Sequence, residues 1–314
     1  MVFNVLKGKK RPTRPLYWEP TLPPSMQAQR IDGRRHLIEH PYALPKDLAE
    51  QDRLKFQHYA LRHVLKGNYV APVPDTTTRI LDVGTGTGQW AYEMAREFPF
   101  AQVVGLDLEP PIISTWAIPP NYHFVQSDLR HGLPFADHTF DFVHQRLLGA
   151  ALPDPSWSHA ISELVRVTRP GGYIEVLEIT DTFLQRGPTT IQLLAWWHKA
   201  EKSAGFRLSL LWHLDIFLAQ TGIVDITAQP LHVPLGAWGG RAGELFAKNL
   251  QSTFHALKGF YCAHLSLDEE VFEKTVAELP QEWEQYLTQY CFFLVYGCKP
   301  ERKGEWHGEQ SQLV

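Results

Sequence analysis

Residues 80–89, Ile-Leu-Asp-Val-Gly-Thr-Gly-Thr-Gly-Gln, carry the densest chemical signal in the chain. Glycines at 84, 86 and 88 permit positive φ and let a ligand approach the main chain, while the amides of a following helix would point at that ligand. The spacing speaks against a pyrophosphate. A dinucleotide loop wants G-x-G-x-x-G, and Gln89 stands where its third glycine belongs. Asp82, just ahead of the loop, would repel an anion but not a cationic amino-acid group. Asp107 follows about 25 positions later (107 − 82) at the end of a second apolar run, where a carboxylate can take both hydroxyls of a ribose. Ser127-Asp128 closes a third run, and Asp128 could accept from an adenine amino group. His144-Gln145-Arg146 follows a fourth. One such aspartate can be a turn cap; three beside a glycine loop point to a crevice at the carboxyl ends of strands.

Those residues need strands to place them. Arg79–Val83, Gln102–Asp107, Tyr122–Gln126, Phe140–His144 and Tyr173–Leu177 read as short apolar strands. Helices at about 89–98 and 156–167 alternate with them, and Pro170-Gly-Gly172 reads as a turn. That alternation predicts right-handed crossovers and a doubly wound α/β sheet. Upstream, a helix runs to Leu65 with Asp47 as its N-cap. Downstream, Thr182–Leu211 and Asp215–Gln220 read as helices, Ile223–Val233 as a strand, about 243–286 as a helical insertion, and Tyr290–Tyr296 as a closing strand. A strand, a long excursion and a final strand predict a C-terminal antiparallel hairpin at the sheet edge. The expected organisation is a basic, Pro-rich tail (1–40), a helical cap (41–70), a main domain (71–300) with lid insertions at about 182–213 and 236–286, and a C-terminal tail (301–314).

Composition narrows the function classes. The 314 residues carry a net charge of -4, with 44% hydrophobic and 20% charged residues, an ordinary globular balance. The acidic balance disfavours a nucleic-acid partner, and no apolar run reaches the roughly 18 residues that span a bilayer. Three cysteines (262, 291 and 298) show no metal-ligand rhythm, so no metal is expected, and so few fit a reducing cytosol. The basic cluster Lys7, Lys9, Lys10, Arg11 and Arg14 reads as a solvated tail, with a nuclear address as the alternative to a cytoplasmic location.

Residues 79–180 resemble the class I S-adenosylmethionine-dependent methyltransferases. The likeness is carried by Asp82–Gly88, Asp107, Ser127-Asp128 and the Arg169-Pro-Gly-Gly-Tyr173 turn. His40-Pro-Tyr-Ala-Leu-Pro, Glu50-Gln-Asp-Arg-Leu, Gln57-His58 and Val295-Tyr-Gly-Cys-Lys-Pro300 add a narrower likeness to the LaeA-like methyltransferases, whose fungal members occur around secondary metabolism and its regulation. The resemblance implies a mostly parallel, seven-stranded Rossmann-like sheet, S-adenosyl-L-methionine as cofactor and S-adenosyl-L-homocysteine as product. Carried over, Asp82, Gly84 and Gly86 serve the methionine part, Asp107 and Leu108 the ribose, and Ser127, Asp128 and Leu129 the adenine. Tyr42 closes over the cofactor, and Gln145 joins the same set. Thr85 departs from the cysteine that many relatives carry.

Methyl transfer is an in-line displacement, so the protein chiefly aligns nucleophile and methyl and excludes water. A base is required only where the nucleophile must lose a proton. His144 and Glu178, at strand ends, are the catalytic candidates, with His213, His232 and His255 in the insertions behind them. Each also reads as a structural group, and the choice stays open. The insertions hold Trp196, Trp197, Trp212, Trp238, Phe246, Phe254, Phe260 and Tyr261, walls that suit a small, apolar or aromatic acceptor or plain core. Gly239 and Gly240 could hinge and Arg241 could meet an anion, against a plain turn and cap. Two other readings stand beside the enzyme. One is a LaeA-like regulator acting through a protein partner, or as a homodimer; the other is an NAD-dependent or nucleotide-sugar enzyme, which Gln89 disfavours.

Overall fold

The near-continuous apolar runs between residues 79 and 146 are what strands buried on both faces require, and they form the centre of the sheet. In chain order the elements are β1 (Ala28–Ile31), β2 (Arg34–Leu37), α1 (Leu48–Leu65), β3 (Arg79–Val83), α2 (Gln89–Glu97), β4 (Gln102–Asp107), β5 (Tyr122–Gln126) and β6 (Phe140–Arg146). There follow α3 (Trp157–Val167), β7 (Thr168–Leu184), α4 (Pro188–Ala204), α5 (Leu214–Gln220), β8 (Val224–Pro234), α6 (Gly240–Ala256), α7 (Lys258–Leu265), α8 (Glu269–Tyr286) and β9 (Gln289–Cys298). This computed structural model describes residues 27–31, 33–38, 42–111 and 118–301. The basic cluster at 7–14, His40-Pro41 and residues 302–314 lie outside them.

The main sheet has seven strands in the order β5-β4-β3-β6-β7-β9-β8. β3 pairs in parallel with both β4 and β6, so the strand order reverses at β3 and opens a crevice at its carboxyl end. β9 runs antiparallel between β7 and β8, which is the expected edge hairpin. Alternate residues of each central strand feed opposite cores. Ile80 and Phe142 pack with Trp90 and Met94 of α2, while Leu81 and Val143 join the larger core with Ile161 and Leu164 of α3. Among the described residues no helix is long and apolar enough to cross a membrane.

Three expectations change. Residues 28–37, read as tail, form a small antiparallel hairpin. Its sequence has no apolar alternation; ion pairs secure it, with Arg34 on Asp47 (2.7 Å) and Arg35 on Glu109 (2.9 Å). β7 is one strand of 17 residues that runs through the Pro170-Gly-Gly172 turn, where Gly171 takes φ +74°, and on to Leu184. Residues 182–184, expected as helix, are therefore strand, because β9 continues to pair with Phe183 and Leu184. α4 starts only at Pro188, whose fixed φ suits a first helical position, and stops at the left-handed Gly205. Asp47 caps α1 as its sequence suggests, accepting from the Glu50 amide at 3.0 Å.

Candidate functional site

Gly84 has φ +72°, a conformation that favours glycine, and a Cβ there would lie 2.6 Å from Leu148 Cδ2, so that side chain would also have to shift. The amides of Gly84 and Thr85 donate to Leu106 O on β4 (2.8 and 2.9 Å), which pins the loop at the strand reversal. The next carboxylate completes the turn: Asp107 Oδ2 accepts from the Gly86 amide at 2.8 Å. Its Oδ1 takes the Leu108 amide at 2.8 Å and Lys46 Nζ at 3.1 Å. Burial works against the Lys46 charge, but Asp107 and Tyr42 more than offset it and hold the ammonium above its usual range. Lys46 also sits 5.1 Å from the centre of the Tyr42 ring. Burial pushes the Tyr42 phenol up to about 12, with Lys46 pulling the other way, so it stays protonated near neutrality.

Tyr42, Gly84, Gly86, Asp107, Leu108, Ser127, Asp128 and Leu129 line one crevice of about 1050 Å³. Asp128 is already engaged there, accepting from the Arg130 amide (2.9 Å) and guanidinium (2.7 Å). Burial raises its carboxyl, yet the Arg130 contacts outweigh this and hold it below the usual range.

Asp82, His144, Gln145 and Glu178 do not line the crevice. Asp82 and His144 are register partners on β3 and β6, so their side chains emerge together beneath the loop. His144 Nδ1 meets Asp82 Oδ1 at 2.9 Å, and its ring stacks on Trp90 at 3.7 Å with a 5° tilt. The other Asp82 oxygen accepts from the Thr85 hydroxyl at 2.6 Å. Both side chains are buried, 1% exposed for His144 and 3% for Asp82. The expected rim base is thus part of a sealed support behind the loop. Thr85, the departure noted in sequence, is what ties the loop to it.

Glu178 is likewise buried and faces the main chain. Its Oε1 accepts from the Leu148 amide and the Gln145 side chain, both at 2.7 Å, and its Oε2 from the Gly149 amide at 2.9 Å. Burial pushes this carboxyl up to about 8 against the pull of those amides. Leu147, beside them, has φ +59°, a strained setting for leucine that its amide bond to Leu177 O (2.9 Å) helps hold. Glu178 therefore shapes the 147–149 loop. His213, His232 and His255 line neither this crevice nor the chamber next to it.

Sequence reasoning passes over Lys46 and names His58 and Arg146 without a role; all three line the crevice. Arg146 Nη2 reaches His58 Nδ1 at 2.7 Å. A guanidinium only donates, so Nδ1 accepts and the ring proton sits on Nε2, which faces Glu93 Oε1 at 3.2 Å. Burial, with Arg146 next, pushes His58 down to about 4. Burial also lowers Arg146 itself, and it forms no ion pair among the described residues. β6 runs two residues beyond the expected His144, so Arg146 ends the strand, and an arginine at the carboxyl end of a central strand was the available signal.

A second chamber of about 960 Å³ adjoins the first, walled mainly by α1, α4, α6 and α7 and by β7 and β9. The two share Tyr42, Leu54, Gln57 and Leu147. Of the aromatic residues singled out, Trp197, Phe246, Phe254 and Tyr261 line this chamber; Trp196, Trp212, Trp238 and Phe260 do not. Arg241 faces solvent and pairs with Glu244 at 3.5 Å, and Gly239 and Gly240 form the turn that enters α6.

A sequence model of the methyltransferase domain matches residues 80–172. The methyltransferase pytC of Aspergillus terreus is 30% identical over 228 residues, covering 68% of this chain and 68% of pytC. The secondary metabolism regulator laeA of Coprinopsis cinerea is 33% identical over 167 residues, covering 50% of this chain and 41% of laeA. Among solved structures, a SAM-dependent methyltransferase from Archaeoglobus fulgidus overlays with a TM-score of 0.49 and 17% identity, over 81% of this chain and all of that one (100%). The chain belongs to the class I, S-adenosylmethionine-dependent methyltransferase family that includes pytC and the laeA regulators.

Proposed function

We propose that the chain transfers the methyl group of S-adenosylmethionine to a small, largely apolar or aromatic acceptor of secondary metabolism. One observation carries this: the polar crevice and the apolar chamber meet along Tyr42, Leu54, Gln57 and Leu147. The crevice residues suit the cofactor chemically. Asp107 offers a carboxylate for ribose hydroxyls, and Ser127, Asp128 and Leu129 would border the adenine. Arg146, a half-buried guanidinium without an ion pair among the described residues, suits an amino-acid carboxylate.

When bound, S-adenosylmethionine supplies an electrophilic methyl on a sulfonium. The chain's part is alignment and exclusion of water. Leu147, whose amide donates to Leu177 O and whose neighbours Leu148 and Gly149 donate to Glu178, is part of the wall that the two compartments share. Tyr42 and Gln57 are the polar side chains on that shared wall and can hydrogen-bond a nucleophile approaching from the chamber. Neither is ionised at neutral pH, so they orient a nucleophile more readily than they deprotonate it.

A regulatory reading rests on the likeness to laeA, in which the fold would act through a protein partner. The chamber's aromatic walls favour the enzyme. Thermal unfolding with S-adenosylmethionine, S-adenosylhomocysteine or NAD separates these readings from an NAD enzyme. Saturation at about a hundred times the dissociation constant adds roughly 2.7 kcal/mol, a shift of several degrees expected with the two sulfur ligands and absent in Asp107→Ala. A shift with NAD alone would remove the proposal.

A further inference from the structure

The chamber holds a buried polar group that the methyl-transfer reading leaves unused. Tyr261, on α7, is 0% exposed and lines the chamber, and its hydroxyl has no hydrogen-bond partner among the described residues. Other polar side chains of the wall are engaged. Arg53 is paired with Glu50 (2.6 Å) and donates to the Thr253 hydroxyl (2.9 Å). The Tyr290 hydroxyl donates to Thr180 O (2.8 Å), and Gln57 donates to Asn249 (3.3 Å). Tyr261 instead sits among rings, its centre 6.1 Å from Trp197, 6.1 Å from Phe260 and 5.2 Å from Phe272.

A buried hydroxyl without a partner is destabilising, and phenylalanine would fill the same space without that cost. The hydroxyl is accounted for if a ligand atom meets it. The ligand's charge follows from the wall: its two charged side chains already have partners, Arg53 on Glu50 (2.6 Å) and Asp181 on His198 (3.2 Å), and most of the rest is aliphatic and aromatic. An ion would lose its water there and meet only charges that already have partners. Tyr261 is not among the residues the two compartments share, so it lies away from the seam where methyl and nucleophile would meet.

We propose that the acceptor is a neutral, apolar molecule carrying, away from its methylated atom, a carbonyl or similar hydrogen-bond-accepting oxygen that the Tyr261 hydroxyl recognises. This rests on the methyl-transfer reading for its biological sense, but the chamber can be tested without it. A site built to hydrogen-bond a ligand discriminates strongly against the analogue lacking that atom.

Benzophenone and diphenylmethane share a two-ring skeleton and differ at the carbonyl oxygen. Titration calorimetry of the full chain, with and without saturating S-adenosylhomocysteine, should show benzophenone binding roughly tenfold or more tighter than diphenylmethane. In Tyr261→Phe that ratio should fall to about twofold or less, with diphenylmethane affinity and S-adenosylhomocysteine affinity retained. The variant's thermal midpoint, unchanged or higher, establishes that it is folded. Equal binding of the two probes in the wild type, a ratio that survives in the variant, or no binding of either would overturn the proposal. S-adenosylhomocysteine binding without the probe ratio defeats the chamber inference alone. The probe ratio without any response to the sulfur ligands defeats the methyl-transfer reading alone.

Discussion

Lys46 Nζ lies 3.1 Å from Asp107 Oδ1, on the carboxylate that ends β4 and faces the crevice. A carboxylate has about four lone-pair positions. Lys46, the Leu108 amide and the Gly86 amide use three of them. A ribose donating both hydroxyls needs two, so one of the three donors must give way, and the side chain is freer to move than either amide.

Lys46→Met should therefore bind S-adenosylhomocysteine several-fold more tightly than the wild type, while the ligand-free protein loses about 1–2 kcal/mol from the uncompensated, largely buried Asp107. Calorimetry and urea unfolding measure the two effects. Binding weakened tenfold would show instead that Lys46 itself holds the ligand.

His144 should behave as a support. Its ring lies flat on Trp90 and satisfies Asp82, which is buried and tied to Thr85. Removing it leaves a cavity beside a buried carboxylate with one side-chain donor. His144→Ala should lose about 3–5 kcal/mol in urea unfolding. S-adenosylhomocysteine affinity of the folded fraction should remain within several-fold. A variant of wild-type stability with abolished methyl transfer would restore His144 as a catalytic group.

Much of this is legible in the sequence. Gly84 and Asp107 are dictated by positive φ and by strand-end position, and both properties are local. Asp82 was placed at the correct strand end but facing the wrong way. Strand parity settles the matter, since Asp82 and His144 share a register pair and a face. The chamber's aromatic character was visible, yet Trp196 and Trp197 differ by one step of helical phase, and only packing decides which turns inward. The β1–β2 hairpin was invisible because Ala-Gln-Arg-Ile and Arg-Arg-His-Leu carry no apolar alternation. Its restraints come from Asp47 and Glu109, which are distant in sequence.

A substitution at Arg146 can test the two halves of the cofactor apart. The structure leaves it without an ion pair among the described residues, buttressed by His58. Arg146→Met should weaken S-adenosylhomocysteine by about 1.5–3 kcal/mol, the range for hydrogen bonds to charged groups. Methylthioadenosine, which has the nucleoside but no amino-acid group, should bind the variant and the wild type alike. Equal losses for both ligands would mean that Arg146 shapes the crevice without meeting a carboxylate.

Glu178 gives the fold a pH dependence with a definite sign. Burial raises its carboxyl to about 8, although the Leu148 and Gly149 amides and Gln145 favour the anion. In the unfolded chain the same group titrates near an ordinary value of about 4.3. Between those values the folded chain binds the extra proton. The contribution is complete below about pH 4.3 and is lost as pH rises through 8, at up to roughly 1.4 kcal/mol per pH unit. Glu178→Gln carries no titrating proton and should lack this slope. Urea unfolding at pH 5.5, 7.0 and 8.5 should then show the stability of Glu178→Gln rising relative to the wild type as pH increases. A pH-independent difference would mean that the three donors hold Glu178 ionised throughout, and that the 147–149 loop is anchored by charge.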